Sequence, residues 1–427
     1  QNSMNIFQKI FYFFSSNTDP SERRVAKFFA KLDEHQTKDD IKQDLDWFLQ
    51  NNIIGINLWS EFKYRGYKYL KKAKRRELYN NSLAIASSFE IYLAQNKHSR
   101  DQVLAEISAA GVDSKNLTEH AEQLQYLRSI MSYLSPHAGR YKYRKSCTFG
   151  ELLKDPNKDV LVGDCNQIVT LYMYLYSLSY DVSSLQIKTY PGHVALHFMG
   201  VDIEATNGTF ANYKESGQAI LPAEEIVSVN LLDVTDEYFK THDVSTESLL
   251  ESARIAYILS SQRDIVEKNL AAAYNNVVVD FCGSSNYAKA LKYAKQSDEP
   301  KLIHMAGHNG AIYFMRENEF KKALNFAEYS NDKAKLYKSI YHNKGAYYFS
   351  KADYYTALRA YEQIGEHEAV KNCYEGLFTQ EQKKLGKLDT AEDIKANRKI
   401  IGNMQTYANS SGNASMINYV SSLNKYL

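Results

Sequence analysis

A six-residue phrase occurs three times in the last third of the sequence, and it limits what this part of the chain can fold into. The copies are residues 286–291 (NYAKAL), 319–324 (EFKKAL) and 353–358 (DYYTAL). Their alanines, Ala290, Ala323 and Ala357, are 33 and 34 residues apart. Twelve positions before each alanine the chain has a small residue: Val278, Ala311 and Gly345. Nine positions before each alanine it has an aromatic residue: Phe281, Phe314 and Tyr348. A period of this length predicts stacked helix-turn-helix units in which the small residues let paired helices approach.

The pattern resembles the tetratricopeptide repeat over about residues 270–395. The Trp early in that repeat and the Pro at its end are missing here, so an unrelated array of helical hairpins is the alternative. Residues 386–391 (GKLDTA) are interpreted as a fourth, degraded copy. The resemblance implies a C-terminal α-solenoid, assigned here to residues 244–427, that binds a protein partner or a peptide substrate.

Composition places the chain among ordinary globular proteins. It has 427 residues, 44% hydrophobic and 24% charged, which favours roughly three domains. The net charge of +2 argues against a nucleic-acid binder held by bulk charge. Only six prolines favour long helices. The four cysteines lack a C-x-x-C pair, so a thiolate zinc site is not expected, and their low number favours a reducing, cytoplasmic location.

The first third of the chain, residues 4–140, has a helical pattern. Residues 39–50 carry apolar side chains at the 3.6-residue period of an amphipathic helix. Ser99 and Gly111 are placed to begin and end another helix. No apolar run is long enough to cross a membrane. The most apolar stretch, residues 6–14, is expected to dock on the protein body, with a membrane surface as the alternative.

Residues 141–243 have a different, α+β pattern. Residues 165–178 carry apolar residues at helical spacing. Period-two runs then follow at 185–189, 194–198 and 201–203, separated by Tyr-Pro-Gly and Met-Gly turns, and they predict antiparallel strands. One helix leading into a small sheet is an α+β arrangement.

The start of this predicted helix carries a candidate nucleophile. Cys165 follows Gly163 and Asp164, and Gly163 is expected to leave room for a substrate backbone. Thiolate is the reactive form of cysteine, and the unpaired N–H groups of a helix N-terminus favour negative charge. His193 opens a predicted strand where a base could reach the sulfur, and Glu204 lies on the next strand, where it could orient the imidazole.

Three phrases in this order resemble the transglutaminase-like superfamily of cysteine enzymes: Gly-Asp-Cys at 163–165, Gly-His-Val-Ala-Leu at 192–196 and Ile-Glu-Ala-Thr-Asn-Gly at 203–208. The match covers about residues 141–215. The resemblance implies a papain-like α+β core with a Cys-His-acid triad and acyl transfer through a thioester, with Cys165, His193 and Glu204 in those roles. No cofactor and no metal are expected for this site.

Two features depart from that family. Its third residue is usually Asp, whereas Glu204 stands here, so Asp202 and Asn207 are fallback partners for His193. The aromatic that commonly follows the histidine is also absent. His197 lies on the same strand face as His193, where a structural role is favoured over a second base. Asp164 and Asn166, which flank the cysteine, are possible supporting residues.

The resulting hypothesis is a cysteine-dependent hydrolase or acyltransferase acting on a peptide or protein amide, which includes protease, deamidase and transglutaminase chemistry. The alternative is an inactive transglutaminase-like and repeat-containing scaffold for protein–protein interaction. The other cysteines, at positions 147, 282 and 373, are interpreted as packing residues.

Two further signals favour simple structural interpretations. The basic segment 63–76 holds eight cations and no acid, and we interpret it as a solvated helix face in preference to a nucleic-acid contact. His304 and His308 have the spacing of a metal pair on a helix, but no acidic or cysteine partner accompanies them.

Overall fold

The computed structural model describes residues 4–33, 35–214, 216–232 and 244–427. The protein is mainly helical, with a small antiparallel sheet. Its contacts divide the chain into two compact units, the residues up to Ala273 and Tyr274–Leu427. The predicted boundary at residue 140 falls inside the first unit. The one at residue 243 lies outside the described residues, so the three-part division stays a prediction.

The helices of the first unit surround one hydrophobic core. Their bounds are α1 Ile6–Phe14, α2 Pro20–Ala30, α3 Lys38–Lys63, α4 Lys72–Gln95, α5 Arg100–Ala109, α6 Ala121–Tyr133, α7 Phe149–Leu152, α8 Cys165–Ser177, α9 Ile226–Leu232, α10 Thr246–Leu259 and α11 Arg263–Gly283, the last of which continues past Ala273. The helical pattern of residues 39–50 is the N-terminal half of α3, and Ser99 caps α5 through its side chain. Helix α3 is kinked at Asn52, whose backbone is not helical.

Seven short strands form two sheets. Their bounds are β1 Tyr141–Tyr143, β2 Leu161–Gly163, β3 Gln186–Tyr190, β4 His193–Phe198, β5 Val201–Glu204, β6 Thr209–Ala211 and β7 Ala219–Pro222. Strands β1 and β2 form a parallel pair that the sequence did not predict. The other five are antiparallel in the order β6-β5-β4-β3-β7. The β3–β4–β5 meander agrees with the period-two prediction.

Two tight turns set the register of this meander. Pro191 and Gly192 connect β3 to β4, and Gly192 takes a positive φ of 75°. Met199 and Gly200 connect β4 to β5, with φ values of 49° and 86°. Two successive positive φ values are typical of the hairpin turn whose twist matches that of the strands. His193 is thereby the first residue of β4, and Glu204 the last of β5.

Helix α8 packs against strand β4 and helix α3. The apolar face of the sheet and the apolar residues of α8 are fully buried, among them Ile168, Leu171, Leu196 and Ile203. Hydrophobic burial of this kind holds the N-terminus of α8 against the β4–β5 hairpin. This packing positions the candidate site.

The second unit begins within α11 and consists of helices only, among the residues that the structure describes. The remaining bounds are α12 Tyr287–Gln296, α13 Pro300–Arg316, α14 Phe320–Ala327, α15 Lys333–Ser350, α16 Tyr354–Glu362, α17 His367–Gln382, α18 Ala391–Ala396, α19 Arg398–Ser411 and α20 Ala414–Asn424. From α12 to α17 each helix packs on its neighbours in sequence.

The sequence repeat has a counterpart in the backbone. Ser285, Asn318 and Ala352 have φ values of 58°, 60° and 58°, again 33 and 34 residues apart. The residue after each one donates its N–H to the carbonyl of the recurring aromatic, over 2.8, 2.8 and 3.0 Å. This is the bond by which a left-handed residue closes a helix C-terminus. The alanines of the phrase, at 290, 323 and 357, are fully buried. Three helix-turn-helix units therefore share one backbone geometry.

The proposed fourth copy does not share it. Ala391 is exposed, whereas its counterparts are fully buried. It opens the six-residue helix α18, which buries Ile394 instead. The interpretation of residues 386–391 as a repeat was therefore wrong at Ala391, the position at which the other copies pack a buried alanine.

Candidate active site

Cys165 is the first residue of helix α8. The side chain of Asp164 caps this helix by accepting the N–H groups of Asn166 at 3.1 Å and Gln167 at 3.5 Å. The Gln167 side chain accepts the N–H of Asp164 in return, at 3.0 Å. This reciprocal capping box fixes the helix start, and it leaves the Cys165 side chain half-buried. Asp164 therefore has a structural role beside the thiol.

The neighbours of Cys165 differ in what they face. The Oδ1 atom of Asn166 lies 3.5 Å from the Cys165 Sγ atom. A Cβ atom on Gly163 would lie 3.1 Å from the Leu152 side chain. Gly163 therefore faces the packed core, and the expectation that it leaves room for a substrate was wrong.

His193 lies between the thiol and a carboxylate. Its Nε2 atom is 2.7 Å from Oε2 of Glu204. The Cys165 thiol interacts with the same ring and is the largest influence on the pKa of His193. The side chain of His193 is one-quarter exposed and that of Glu204 is buried. Three separated segments of the chain thus bring sulfur, imidazole and carboxylate into one row.

Both contacts favour the charged form of the imidazole. The interaction with the Cys165 thiol, followed by the hydrogen bond with Glu204, raises the pKa of His193 from 6.5 to about 10. Burial opposes this shift but is outweighed. An imidazole with this pKa carries a proton at neutral pH.

In addition to its contact with His193, Glu204 accepts hydrogen bonds from two other residues. Its Oε1 atom accepts the Thr206 hydroxyl at 2.6 Å and the Thr206 N–H at 3.1 Å. The hydroxyl of Tyr213 donates to Oε2 at 2.9 Å. Burial alone would raise the pKa of Glu204, but the hydrogen bonds from His193 and Thr206 hold it below its ordinary value. The carboxylate is therefore charged, oriented and shielded from water.

A second polar cluster lies beside this row. Asp202 accepts His197 Nδ1 at 2.6 Å, Lys188 Nζ at 2.7 Å and the Tyr213 N–H at 2.6 Å. Lys188 also donates to the Tyr213 carbonyl, at 2.7 Å. Burial would raise the pKa of Asp202, but His197, Lys188 and the Tyr213 N–H together lower it.

The fallback partners named from the sequence contact other groups. Asp202 is used by His197 and Lys188, and not by His193. His197 is buried and paired with Asp202, away from the thiol. Asn207 is exposed in the β5–β6 turn, where it accepts the Thr209 hydroxyl at 2.6 Å. Glu204 alone of these residues meets the imidazole.

Sequence patterns did not identify Tyr213 or Lys188. Tyr213 follows β6 in a stretch without regular secondary structure. Lys188 is buried at the centre of β3. One available signal was the presence of a lysine within a period-two strand. A lysine buried in a strand needs a charged partner, so Lys188 could have indicated a buried acidic residue nearby.

The remaining cysteines have different surroundings. Cys147 and Cys373 are buried, and Cys282 is half-buried. Burial raises the pKa of all three thiols, that of Cys373 to about 11. Thiols of this kind are mostly protonated and unreactive at neutral pH.

The two histidines with metal spacing are used in packing. His304 Nδ1 lies 2.7 Å from the Tyr329 carbonyl and His308 Nδ1 3.2 Å from the Ser330 hydroxyl. Within the described ranges, no three His, Cys, Asp or Glu residues are grouped to hold a metal ion.

The sequence suggested that the basic segment 63–76 forms one solvated helix face, but the structure shows a different arrangement. Residues 64–71 lie between helices α3 and α4. Arg65 is buried and donates to the Asn230 carbonyl. Arg75 is buried and forms a two-point ion pair with Glu22, over 2.9 and 3.0 Å. Two of the eight cations thus serve the interior of the protein.

No helix among the described residues is long and apolar enough to cross a bilayer. Comparison with protein-family models gives no match, and no curated protein matches the chain.

Proposed function

We propose that this protein is a cysteine-dependent enzyme that cleaves or transfers the acyl group of a peptide or protein amide. The observation that carries the proposal is the position of His193, whose ring bonds the Glu204 carboxylate at 2.7 Å and has its pKa raised by the neighbouring Cys165 thiol. A nucleophile, a base within hydrogen-bond reach and a group that orients the base are the parts of a catalytic triad. In this proposal the residues around the triad form a transglutaminase-like, papain-type core.

Charge at the site favours a reactive sulfur. The raised pKa of His193 keeps the imidazolium in place at neutral pH, and the N-terminus of α8 favours a negative group at its first residue. Both features would stabilise negative charge on the sulfur when it attacks a substrate. Glu204 stabilises the positive ring and holds its orientation through Nε2.

The proposed reaction has two steps. The Cys165 thiolate attacks the amide carbon, and the C–N bond breaks as His193 gives its proton to the leaving amine, which leaves a thioester. Water or a second amine then attacks the thioester, His193 takes the proton of that nucleophile, and the thiolate leaves. Water gives hydrolysis and an amine gives transfer.

The backbone N–H of Cys165 is the proposed oxyanion donor. The first N–H groups of a helix have no acceptor in a preceding turn. Asp164 accepts those of Asn166 and Gln167, so the cap leaves the N–H of Cys165 available. A donor at this position would face the developing negative oxygen when the adjacent sulfur attacks.

The change from Asp to Glu does not weaken the proposal. The longer side chain reaches His193 at 2.7 Å and is fixed at its other oxygen by Thr206. A glutamate has one more rotatable bond than an aspartate, and the contacts from Thr206 and Tyr213 remove that freedom.

We infer that the second unit is a tetratricopeptide-like module that binds a protein or peptide. The support is the recurrence of both the phrase and the left-handed backbone residue at 33 and 34 residues. Stacked units of this kind build extended surfaces for partner segments.

Alkylation by iodoacetamide tests the proposed nucleophile. At pH 6.0 we expect Cys165 to react at least about tenfold faster than Cys282, because an ordinary thiol is almost fully protonated there. Cys282 is the matched control since it is also half-buried and its pKa is raised by burial. The adducts are located by peptide mass spectrometry.

Two variants complete this test. His193→Gln removes the imidazolium and is expected to slow Cys165 alkylation at pH 6.0 to the rate of an ordinary thiol. Cys282→Ala should leave that rate unchanged. Equal reactivity of Cys165 and Cys282 in the unmodified protein would reject the enzyme and favour the inactive scaffold.

A further inference from the structure

Helix α1 exposes nearly all of its large apolar side chains. The six are Ile6, Phe7, Ile10, Phe11, Phe13 and Phe14, with exposed fractions between 49% and 82%. Tyr12 is the buried residue of the helix. The docking expected for residues 6–14 therefore buries Tyr12, whereas the six apolar side chains remain about half exposed or more.

These six side chains occupy one face. At about 100° per residue they cover an arc of about 160°, and Gln8, Lys9 and Tyr12 lie outside it. All nine residues of α1 are described, and this arc contains no polar side chain. A protein interface usually supplies about one hydrogen bond per 100–200 Å², whereas a lipid surface needs none.

The helix is capped at both ends, and the cap at its C-terminus comes from helix α4. Asn5 and Gln8 form a capping box at its N-terminus, over 2.9 and 3.0 Å. At its C-terminus the Lys72 ammonium donates to the carbonyls of Tyr12 and Phe13, the latter at 3.1 Å. A lysine on the last carbonyls of a helix is a stabilising cap.

Several cations lie beside this helix. Lys9 is on the helix itself, and the Arg23 guanidinium lies 5.1 Å from the centre of the Phe11 ring. Lys72 holds the C-terminus, and the charge of Arg76 acts on it. Residues 4–31 and 63–76 together contain thirteen Lys and Arg against two acids, and all of these cations except the buried Arg65 and Arg75 are at least partly exposed. Asp19 caps helix α2 and Glu22 pairs with Arg75, so both acids are occupied.

We propose that helix α1 and the cations beside it form a docking surface for an anionic lipid membrane. An interfacial helix places its apolar face at the boundary of headgroups and acyl chains while neighbouring Lys and Arg side chains contact anionic headgroups. A second copy of the chain fits less well, because a symmetric contact would bring the same cations face to face.

Vesicle co-sedimentation tests this surface on the full chain. We expect binding to vesicles of phosphatidylcholine and phosphatidylserine at 7:3 in 0.15 M salt, and at least about fivefold weaker binding to phosphatidylcholine alone. The variant Phe7→Ser/Phe14→Ser should lose at least about tenfold in affinity for the mixed vesicles. Arg76→Ala should lose about fivefold.

Ile91→Ser is the matched control. Ile91 is an exposed apolar residue near the other end of helix α4, and its replacement should leave vesicle binding unchanged. Circular dichroism and thermal unfolding check that each variant is folded, which is expected because Phe7 and Phe14 are solvent-facing.

Three outcomes would overturn the proposal. They are no binding to either vesicle, equal binding by the Phe7→Ser/Phe14→Ser variant, and a dimer in sedimentation velocity that this variant abolishes. The last would assign the face to a second copy. None of these results depends on the proposed enzymatic activity.

Discussion

The Tyr213 hydroxyl donates to Oε2 of Glu204, the same oxygen that contacts His193 Nε2. The backbone of Tyr213 is held in turn by Asp202 and Lys188. The buried Lys188–Asp202–His197 cluster and the Cys165–His193–Glu204 row are therefore connected through one residue. This connection makes specific predictions about both groups.

Replacing Tyr213 with Phe should weaken the hold on Glu204 without unfolding the protein. One donor to the carboxylate is lost, and such a bond contributes about 1.5–3 kcal/mol at most. The pKa of Glu204, which burial pushes upward, should rise. We expect the acid limb of the pH profile for Cys165 alkylation to move to higher pH. Tyr426→Phe, at an exposed tyrosine, should leave the profile unchanged.

Glu204→Gln should change the charge state of His193. After Cys165, Glu204 is the group that most raises the pKa of the imidazole, which reaches about 10, so this pKa should fall in the variant. NMR titration of the His193 ring protons measures it directly. Slower alkylation of Cys165 near neutral pH should accompany the fall. A His193 pKa unchanged by the substitution would contradict the proposed orienting role of Glu204.

The contribution of His193 to stability should depend on pH in a defined direction. Its folded pKa of about 10 lies above the ordinary value of 6.5. The stabilisation is therefore complete below about pH 6.5 and is lost as the pH rises through about 10. The difference in free energy of unfolding between the unmodified protein and His193→Gln should shrink between pH 7 and pH 10. Urea unfolding at intervals across this range measures it, and a constant difference would contradict the assignment.

Lys188→Met should destabilise the first unit strongly. The substitution leaves Asp202 buried without its ammonium partner, and breaking a buried pair in this way costs about 3–5 kcal/mol. Lys158→Met is the matched control, because Lys158 pairs with Asp155 over 3.0 Å at the surface, where an ion pair contributes at most about 1 kcal/mol. Urea unfolding should separate the two variants clearly. Similar losses in both would indicate that the Lys188–Asp202 pair contributes little.

Replacing two glycines of the second unit with alanine should have opposite effects on stability. A Cβ atom on Gly345 would lie 2.6 Å from the ring of Tyr361, so Gly345→Ala should force helices α15 and α16 apart and lower the thermal stability. Gly402 lies within α19 with no atom within 4 Å of an added Cβ. Gly402→Ala should therefore stabilise by about 0.5–1 kcal/mol. Calorimetry of both variants checks the pair, and a stabilising Gly345→Ala would contradict the close approach of the helices.

Local features of the fold could be predicted because their causes are local. The 3.6-residue period of residues 39–50, the Ser99 cap and the turns that open β4 and β5 depend on residues near each other in sequence. The recurring small residues Val278, Ala311 and Gly345 were expected where paired helices approach, and all three are buried. The N-terminal helix was harder, because periodicity identifies an apolar face but not what covers it.

The sequence by itself determined that Cys165 begins a helix, that His193 begins a strand after a Pro-Gly turn, and that Glu204 lies on the following strand. Only the tertiary structure decided which carboxylate meets the imidazole. The register of β4 on β5 pairs His197 with Asp202 and thereby leaves Glu204 for His193. Tyr213 and Lys188 join the site across 9 to 14 residues of chain, through folding of the strands onto one another. Such contacts depend on strand register and burial, which no local pattern of residues encodes.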